Sequence, residues 1–346
     1  MLRLSIPLFL LLLALVFPIN ASNHEVYVLF HEGTSMENIQ YMLNDLKYVD
    51  GVCVMVNLYG ESNEDMEDAI NRLTIMLNDL SDYKIIVQAI YVFSDGSFSE
   101  TFYFQWYSRL ANVFHNYPNV VLFVGFNEAY FHFPKEQAKA IMQREYIAWK
   151  NVSTIPFSCE ITFPFEEWHT YMNVTNPNFE NDVLPIWQNY SDYIGLNIQP
   201  YTPEGYNLVN QTILTATYYS YLYNKPIHVN EFFLFHKNDV KHAKQTVFQN
   251  PHKTAIYKLW DWSNSTENTK ALYNINPLSG EITRNPLMWN TYIEVFKNEE
   301  HDNYKDLAED LAIAFIPLII VFICIGIFKK MRARANFSLF YMLSKY

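Results

Sequence analysis

The sequence has few cysteines. It holds 3 in 346 residues, which excludes the disulfide framework typical of small secreted domains. Cys53 and Cys159 fall in predicted buried strands, and Cys324 falls in an apolar segment near the C-terminus. We interpret the first two as buried free thiols, because unpaired cysteine behaves as a small apolar side chain.

Positive charge is also scarce. The chain has 24 Lys and Arg against 36 Asp and Glu, which gives a formal net charge of −12. Such a surface repels a phosphate backbone, so the main body is not expected to bind nucleic acid.

Two cofactor patterns are missing from the sequence. The first predicted strand is followed by Phe30-His31-Glu32-Gly33-Thr34, which is not the Gly-rich fingerprint of a dinucleotide site. His132, His169 and His228 do not combine with His31 at a metal-ligand spacing. We therefore predict neither a cofactor nor a metal.

Residues 1–21 have the pattern of a secretory signal peptide. Arg3 supplies the positive start, Leu4–Phe17 is apolar, and Ile19–Ser22 offers small residues for cleavage. The apolar run is shorter than the roughly 20 residues of a membrane span. An uncleaved anchor is therefore the less favoured alternative.

The other end of the chain predicts a membrane anchor. Leu311–Phe328 is almost wholly apolar and long enough to cross a bilayer, although a buried core helix is the alternative. A charged stalk at 299–310 precedes it, and a basic tail at 329–346 follows. By the positive-inside rule the tail is cytoplasmic. The expected protein is a single-pass protein of the cell membrane, with an extracytoplasmic domain at 22–298.

That domain carries features that suit an external, sugar-contacting protein. Tyr and Phe number 26 each and Trp numbers 7, and aromatic rings beyond those in the core could stack on sugars. An aromatic-rich core is the simpler reading. Plausible glycan sites in an external domain are Asn-x-Ser/Thr sequons. They begin at Asn151, Asn173, Asn189, Asn210 and Asn264.

Residues 22–298 alternate between short β-rich runs and longer amphipathic stretches, which indicates parallel βα units. Eight such units predict an α/β fold, a closed (β/α)8 TIM barrel, and an open doubly wound sheet is the alternative. The predicted strands are Val26–Phe30, Gly51–Leu58, Lys84–Tyr91, Val120–Phe126, Ile155–Thr162, Tyr193–Ile198, Pro226–Asn230 and Ala255–Asp261. The predicted helices are Met36–Tyr48, Glu64–Leu80, Phe102–Asn116, Lys135–Lys150, Asp182–Tyr190, Leu208–Tyr223, Val240–Gln249 and Pro286–Phe296.

Acidic side chains follow two of these strands directly. Asn127 and Glu128 come after six apolar residues of the fourth strand, and Glu231 comes at the end of the seventh. Active sites of this fold lie where strands end and loops begin. A lone Glu at such a position is usually a solvated loop residue. The prediction of an active site therefore depends on Glu128 and Glu231 occurring together.

The ordered set resembles clan A glycoside hydrolases, near the cellulase-like family 5 group. The resemblance rests on Asn127-Glu128, on Glu231 after Lys225-Pro-Ile, on Trp260-Asp-Trp, and on the ending 280–286. It implies a retaining enzyme that acts on β-linked glycans, with no cofactor and an oligo- or polysaccharide as substrate.

The resemblance also implies a role for individual residues. Glu128 would be the acid/base, Glu231 the nucleophile, and Asn127 the partner of the sugar's 2-hydroxyl. Tyr201 would hydrogen-bond the nucleophile, and Trp260 would be the platform under the bound sugar.

Chemistry agrees with two carboxyls in these roles. Retention needs carboxyls about 5–5.5 Å apart, one protonated and one ionised. Two carboxyls that close drive their pKa values apart, which separates the roles.

The sequence departs from the family pattern at two strands. The second strand ends without the Arg that supports the nucleophile in many clan members, so Asn57 or Tyr59 would have to substitute. On strand six Gln199 stands where a His is often found. Trp168 is a packing or outer-subsite residue.

These departures leave three functions open. The first is an active hydrolase or transglycosylase at the cell surface. The second is a catalytically inactive surface protein that binds glycan or a partner. The third is a structural envelope component that uses the barrel as a spacer, because fold alone does not decide function.

Overall fold

Eight parallel strands form the main sheet of the computed structural model. The structure describes residues 25–31, 34–46, 49–60, 62–92, 98–126, 128–162, 177–198, 212, 215–232, 252–256, 260–261, 271–276 and 278–297. The predicted signal peptide, stalk, membrane span and tail lie outside these residues. None of the helices searched within them is long and apolar enough to cross a membrane.

The barrel strands pair in the order β5-β4-β3-β2-β1-β8-β7-β6, and every pair in this sheet is parallel. They are β1 (Glu25–His31), β2 (Gly51–Tyr59), β3 (Lys84–Val92), β4 (Val120–Val124), β5 (Phe157–Ser158), β6 (Ile194–Ile198), β7 (Ile227–Phe232) and β8 (His252–Ile256).

The sheet closes between β5 and β6. Ile161, just past β5, forms a parallel bridge with Leu196 of β6. The Ile161 amide donates to the Gly195 carbonyl at 3.2 Å, and the Asn197 amide donates to the Ile161 carbonyl at 3.3 Å. This bridge makes the eight strands a closed ring, which confirms the predicted TIM-barrel fold over the open sheet.

Helices cover the outside of the ring. Three of them begin at a serine whose hydroxyl accepts a backbone amide, and Ser62 forms a full capping box with Asp65. A π-helical turn (Phe179–Val183) leads into the sixth helix. The helices are α1 (Met36–Asp45), α2 (Asn63–Asp79), α3 (Glu100–Phe114), α4 (Ala129–His132), α5 (Lys135–Lys150), α6 (Leu184–Asn189), α7 (215–223) and α8 (Pro286–Lys297).

The fifth strand is shorter than its predicted range, Ile155–Thr162. Ladder pairing with β4 covers only Phe157 and Ser158. The next amide, that of Cys159, donates instead to the Ser191 hydroxyl at 3.0 Å. A side chain takes the place of a strand partner there, so regular pairing stops and resumes only at the Ile161 bridge.

The eighth predicted strand, Ala255–Asp261, is wrong as one continuous strand. The barrel strand β8 starts earlier and ends at Ile256. Trp260 and Asp261 form β9 of a separate three-stranded sheet, parallel to β10 (Tyr273–Ile275), which is antiparallel to β11 (Ile282–Arg284). Their backbone partners therefore come from the segment that follows, not from β1. The predicted helix Val240–Gln249 lies outside the described residues.

Candidate active site

Glu128 and Glu231 lie at the same rim of the barrel. Glu128 follows the last residue of β4, Val124, by four positions, and Glu231 is the second-last residue of β7. Both strands run in parallel within one closed ring, so their carboxyl ends share an edge. The side chain of Glu231 lies outside the described part of the chain.

Glu128 adopts an unusual backbone conformation. Its φ of 56° and ψ of 42° are left-handed, and its carbonyl accepts the Phe131 amide at 2.9 Å. Among described non-glycine residues only Asn224 shares a positive φ. Asn tolerates the left-handed region. For Glu this backbone conformation costs about 1–2 kcal/mol. Backbone strain of this kind concentrates at functional sites.

The carboxyl of Glu128 is half-buried. Burial raises the pKa of Glu128 above its ordinary value. Desolvation disfavours the charged form, so the group keeps its proton to a higher pH. That direction suits a proton donor rather than a nucleophile.

A second glutamate holds the segment that leads to Glu128. Glu145 of α5 is fully buried, and its carboxylate accepts the Phe126 amide at 3.1 Å and 3.2 Å, one contact for each oxygen. The hydroxyl of Tyr103 on α3 donates to the same carboxylate. Burial raises the pKa of Glu145 to about 7, against the lowering effect of these hydrogen bonds.

Sequence reasoning missed Glu145, although a signal was present. The buried residues of α5 recur at helical spacing, and Glu145 stands in that apolar row between Met142 and Trp149. A charged residue on the core-facing stripe of an amphipathic helix needs a partner in the core.

Aromatic rings surround the turn that contains Glu128. The ring of Phe126 lies 5.2 Å from Phe133, 5.3 Å from Tyr103 and 5.9 Å from Phe98, measured between centroids. All three are edge-to-face contacts, a favoured geometry for aromatic pairs. They exclude water behind the turn, which agrees with the desolvation of the Glu128 carboxyl.

The short helix after Glu128 is anchored to the π-helical turn. The Tyr130 hydroxyl donates to the Asp182 carbonyl at 2.6 Å, and Lys139 of α5 pairs with the Asp182 carboxylate at 2.8 Å. Both partners of this ion pair are largely buried, so solvent screens it little. The turn is thus held from two sides.

Strand β7 contains a β-bulge where Glu231 lies. Val229 and Phe232 pair with Leu196 and Ile198 of β6, and the same offset occurs against β8. Three steps along β7 therefore match two steps along each neighbour. The regular alternation of side chains between the two faces of a strand, counted from Val229, is therefore broken before Glu231. Bulges are enriched beside active sites, where they change the direction of a side chain.

The Lys225-Pro-Ile segment before β7 has a structural role. The Lys225 ammonium donates to the carbonyls of Trp187, Gln188 and Ser191 at 2.7, 2.8 and 2.6 Å. The first two belong to α6, whose last carbonyls lack helical partners. A cation at a helix C-terminus is also favoured by the helix dipole. Lys225 therefore fixes the start of β7 against the end of α6.

The interior of the barrel is polar along β5, β6 and β7. Ser158 and His228 are hydrogen-bonded at 3.1 Å between Oγ and Nδ1. Thr162, Asn197 and Asn230 are buried, and within the described part of the chain their side-chain polar atoms have no hydrogen-bond partner. No group of three or more His, Cys, Asp or Glu among the described residues could hold a metal ion.

The barrel is similar to solved glycoside hydrolase structures. Endoglucanase Cel5A of Thermotoga maritima matches with a TM-score of 0.52 and 10% identity over 79% of this chain and 97% of that chain. Its mutant form in complex with cellobiose matches with a TM-score of 0.53 and 13% identity, over 80% and 97%. A GH5-4 broad specificity endoglucanase from Clostridium acetobutylicum gives 0.50 and 9%, over 75% and 88%.

The chain resembles the cellulase-like family 5 glycoside hydrolases in fold. The sequence itself matches no protein-family model and no curated protein. At such low identity the likeness shows a glycosidase-like barrel, and the chemistry has to be argued from the residues.

The structure describes Asn57 and Tyr59, the two residues proposed in place of an arginine at the end of β2. The amide of Asn57 donates to the Tyr59 hydroxyl at 3.0 Å, so these two side chains form a pair on one strand end. An arginine does reach this point, because Arg72 of α2 donates to the Asn57 carbonyl at 3.1 Å. It comes from a covering helix and binds the backbone of the strand.

Of the remaining predicted site residues, the structure describes only the backbone of Trp260. Trp260 lies in β9, beside the barrel sheet rather than in it, and its side chain is outside the described part. Asn127, Trp168, Gln199 and Tyr201 lie outside the described residues.

Proposed function

We propose that the protein is a retaining glycoside hydrolase or transglycosylase that acts on β-linked glycans, with Glu128 as acid/base and Glu231 as nucleophile. The observation that carries this proposal is Glu128 itself. A desolvated carboxyl with a raised pKa, on a left-handed residue at the end of a barrel strand, suits a proton donor.

The proposed reaction proceeds by double displacement. Glu128 gives its proton to the glycosidic oxygen while the Glu231 carboxylate attacks the anomeric carbon. The glycosidic bond breaks, the leaving sugar departs as an alcohol, and a glycosyl ester of Glu231 forms. Glu128, now ionised, takes a proton from water. That water attacks the same carbon, releases Glu231 and returns the original anomeric configuration. Transfer to a sugar hydroxyl instead of water gives transglycosylation.

The substrate class follows from the same argument. The similar Cel5A structure holds cellobiose, which supports a β-linked oligosaccharide as ligand for this barrel. Asn57, Asn127, Gln199, Tyr201, Trp260 and Trp168 remain the proposed substrate contacts.

The proposed location is the cell membrane, with the barrel outside and the C-terminus in the cytoplasm. It rests on the apolar and charged segments at the two ends of the sequence. Protease treatment of intact cells would digest the barrel and leave a C-terminal tag protected if this topology is right. A tag that is lost together with the barrel contradicts it.

The deciding experiment compares wild type with Glu231→Gln and Glu128→Gln on aryl β-glycosides and on β-glucans. Glu231→Gln loses turnover on both. Glu128→Gln loses turnover on both, but on aryl glycosides it still releases a burst of the aryl alcohol, because a good leaving group needs no proton in the first step and only the second step lacks its base. Glu281→Gln, an exposed residue before β11, is the matched control and keeps full activity. Unchanged turnover in Glu231→Gln would contradict the nucleophile.

A second function, glycan binding without catalysis, is favoured by one observation. The end of β2 offers the Asn57–Tyr59 pair to the barrel mouth, while its nearby arginine is engaged with backbone. Polysaccharide binding by wild type with no released product, unchanged by either Gln variant, would support this alternative.

A further inference from the structure

We propose that Glu145 is a positioning residue for Glu128, because it holds the backbone that places the acid/base at the rim. The expected effect on catalysis rests on the proposed function. The expected effect on the position of Glu128 rests on geometry alone. Glu145 belongs to α5, so it would act from outside the ring of strands.

The contact that carries the proposal is the Phe126 amide. The ladder between β3 and β4 ends at Val124, and the amide of Gly125 still donates to Ser158 at 2.9 Å. The next amide, of Phe126, turns to the Glu145 carboxylate. The chain leaves the sheet at this residue, two positions before Glu128.

The carboxyl group of Glu145 is fully buried. Tyr103 and Tyr107 of α3, both fully buried as well, lie against it. Both oxygens of this carboxyl lie within hydrogen-bond distance of the Phe126 amide, at 3.1 Å and 3.2 Å, so the group restrains the turn whether or not it carries a proton.

Gly125 shows how closely the carboxylate fits against the strand. A Cβ on Gly125 would lie 2.9 Å from Glu145 Oε2 and 2.8 Å from the Phe157 ring. A larger residue there would have to displace the Phe157 ring or the Glu145 carboxyl. The glycine thus leaves the space that the hydrogen bond to the Phe126 amide needs.

The main test replaces Glu145 in the full-length protein. Glu145→Leu removes the acceptor and is expected to lower kcat by about 10- to 100-fold with KM nearly unchanged, because small displacements of a catalytic group cost this much. Glu145→Gln restores most of kcat, since its amide oxygen still accepts the Phe126 amide. Gly125→Ala is a second route to the same loss if Glu145→Leu does not fold.

Tyr103→Phe is the matched control. It removes the other donor to the same carboxylate and leaves the Phe126 contact intact. Its melting temperature falls as in a core variant, but its kcat stays near that of wild type. Equal kcat losses in Tyr103→Phe and Glu145→Leu would reduce Glu145 to a structural role and overturn the proposal.

A measurement without turnover separates this proposal from the proposed function. The Glu128 carboxyl can be titrated by carbon-13 NMR in each variant. In Glu145→Leu its pKa is expected to fall toward the ordinary value as the turn relaxes into solvent, and in Tyr103→Phe it stays raised. An unmoved Glu128 pKa in Glu145→Leu sinks the positioning role even if the wild type is active. An inactive wild type sinks the hydrolase and leaves this comparison valid.

Discussion

The two halves of the barrel interior differ in character. Along β1–β4 the inner side chains form an apolar cluster, with Leu29, Cys53, Met55, Ile86, Leu122 and Val124 among its members. Along β5–β7 they are polar, and the side chains of Thr162, Asn197 and Asn230 have no hydrogen-bond partner among the described residues. A buried unsatisfied polar group costs about 1–3 kcal/mol. The apolar half therefore stabilises the ring, and the polar half gives up stability near the proposed nucleophile.

The largest effect is expected in the polar half, at the rim. Glu231→Gln should lower turnover on aryl β-glycosides by at least roughly a thousandfold, because the proposed mechanism forms its covalent intermediate on this carboxylate. Its free energy of unfolding should change little. Initial rates and urea denaturation of the same preparation measure both quantities. A variant that loses activity only in proportion to its folded fraction would contradict this prediction.

Substitutions in the apolar half should lower stability and leave activity nearly unchanged. Leu122→Ala should lower the free energy of unfolding by about 2–5 kcal/mol through a cavity, with kcat per folded molecule nearly unchanged. Leu287→Ala, at an exposed position on α8, is the control and should change stability by less than about 0.5 kcal/mol. A kcat loss in Leu122→Ala would mean that the two halves are coupled.

The third prediction concerns pH and Glu145, which lies on α5 outside both halves of the barrel interior. The pKa of Glu145 rises from its ordinary value of 4.5 to about 7 in the folded protein, so the folded state binds this proton more tightly than the unfolded state. The resulting stability is fully present below pH 4.5 and is lost as pH rises to about 7. The loss is on the order of 3 kcal/mol.

Glu145→Gln should flatten this part of the stability curve, measured as melting temperature against pH. Tyr103, Tyr107 and Cys159 also face the group, and burial raises the pKa of each well above this window. They therefore do not titrate within it. An equally steep curve in the Gln variant would assign the dependence to other groups.

The smallest effect compares two buried asparagines. Asn197 has no side-chain partner within the described residues, so Asn197→Leu should be neutral or stabilising by up to about 1 kcal/mol. Asn285 accepts the Met288 amide at the start of α8, so Asn285→Leu should cost about 1–2 kcal/mol. Chemical denaturation of both variants measures the difference. Destabilisation of Asn197→Leu beyond that of Asn285→Leu would show that the polar half is satisfied by water.

Local sequence patterns were sufficient for most of the barrel. Runs such as Gly51–Leu58 and Lys84–Tyr91 were nearly correct, because strands covered on both faces are continuously apolar. The eighth strand was wrong because the segment at Trp260 pairs with a later part of the chain. Such pairing depends on residues far away in sequence, which no local pattern contains.

In the candidate site, too, some features could be predicted from the sequence and others could not. The position of Glu128 after an apolar strand was readable from the sequence, and so was that of Glu231. The left-handed conformation of Glu128 and the bulge of β7 were not, since each depends on neighbouring strands and helices. Glu145 was visible only as a charge in an apolar row, and its partner came from a segment 19 residues away.

The sequence alone determined the alternation of strands and helices, the charge balance and the two acidic strand ends, because these are properties of consecutive residues. Only the tertiary structure decided that the ring closes through Ile161 and Leu196, and that α5 reaches back to the Phe126 amide. Both depend on segments that meet in space after folding, where burial and hydrogen bonding set the energy of each contact.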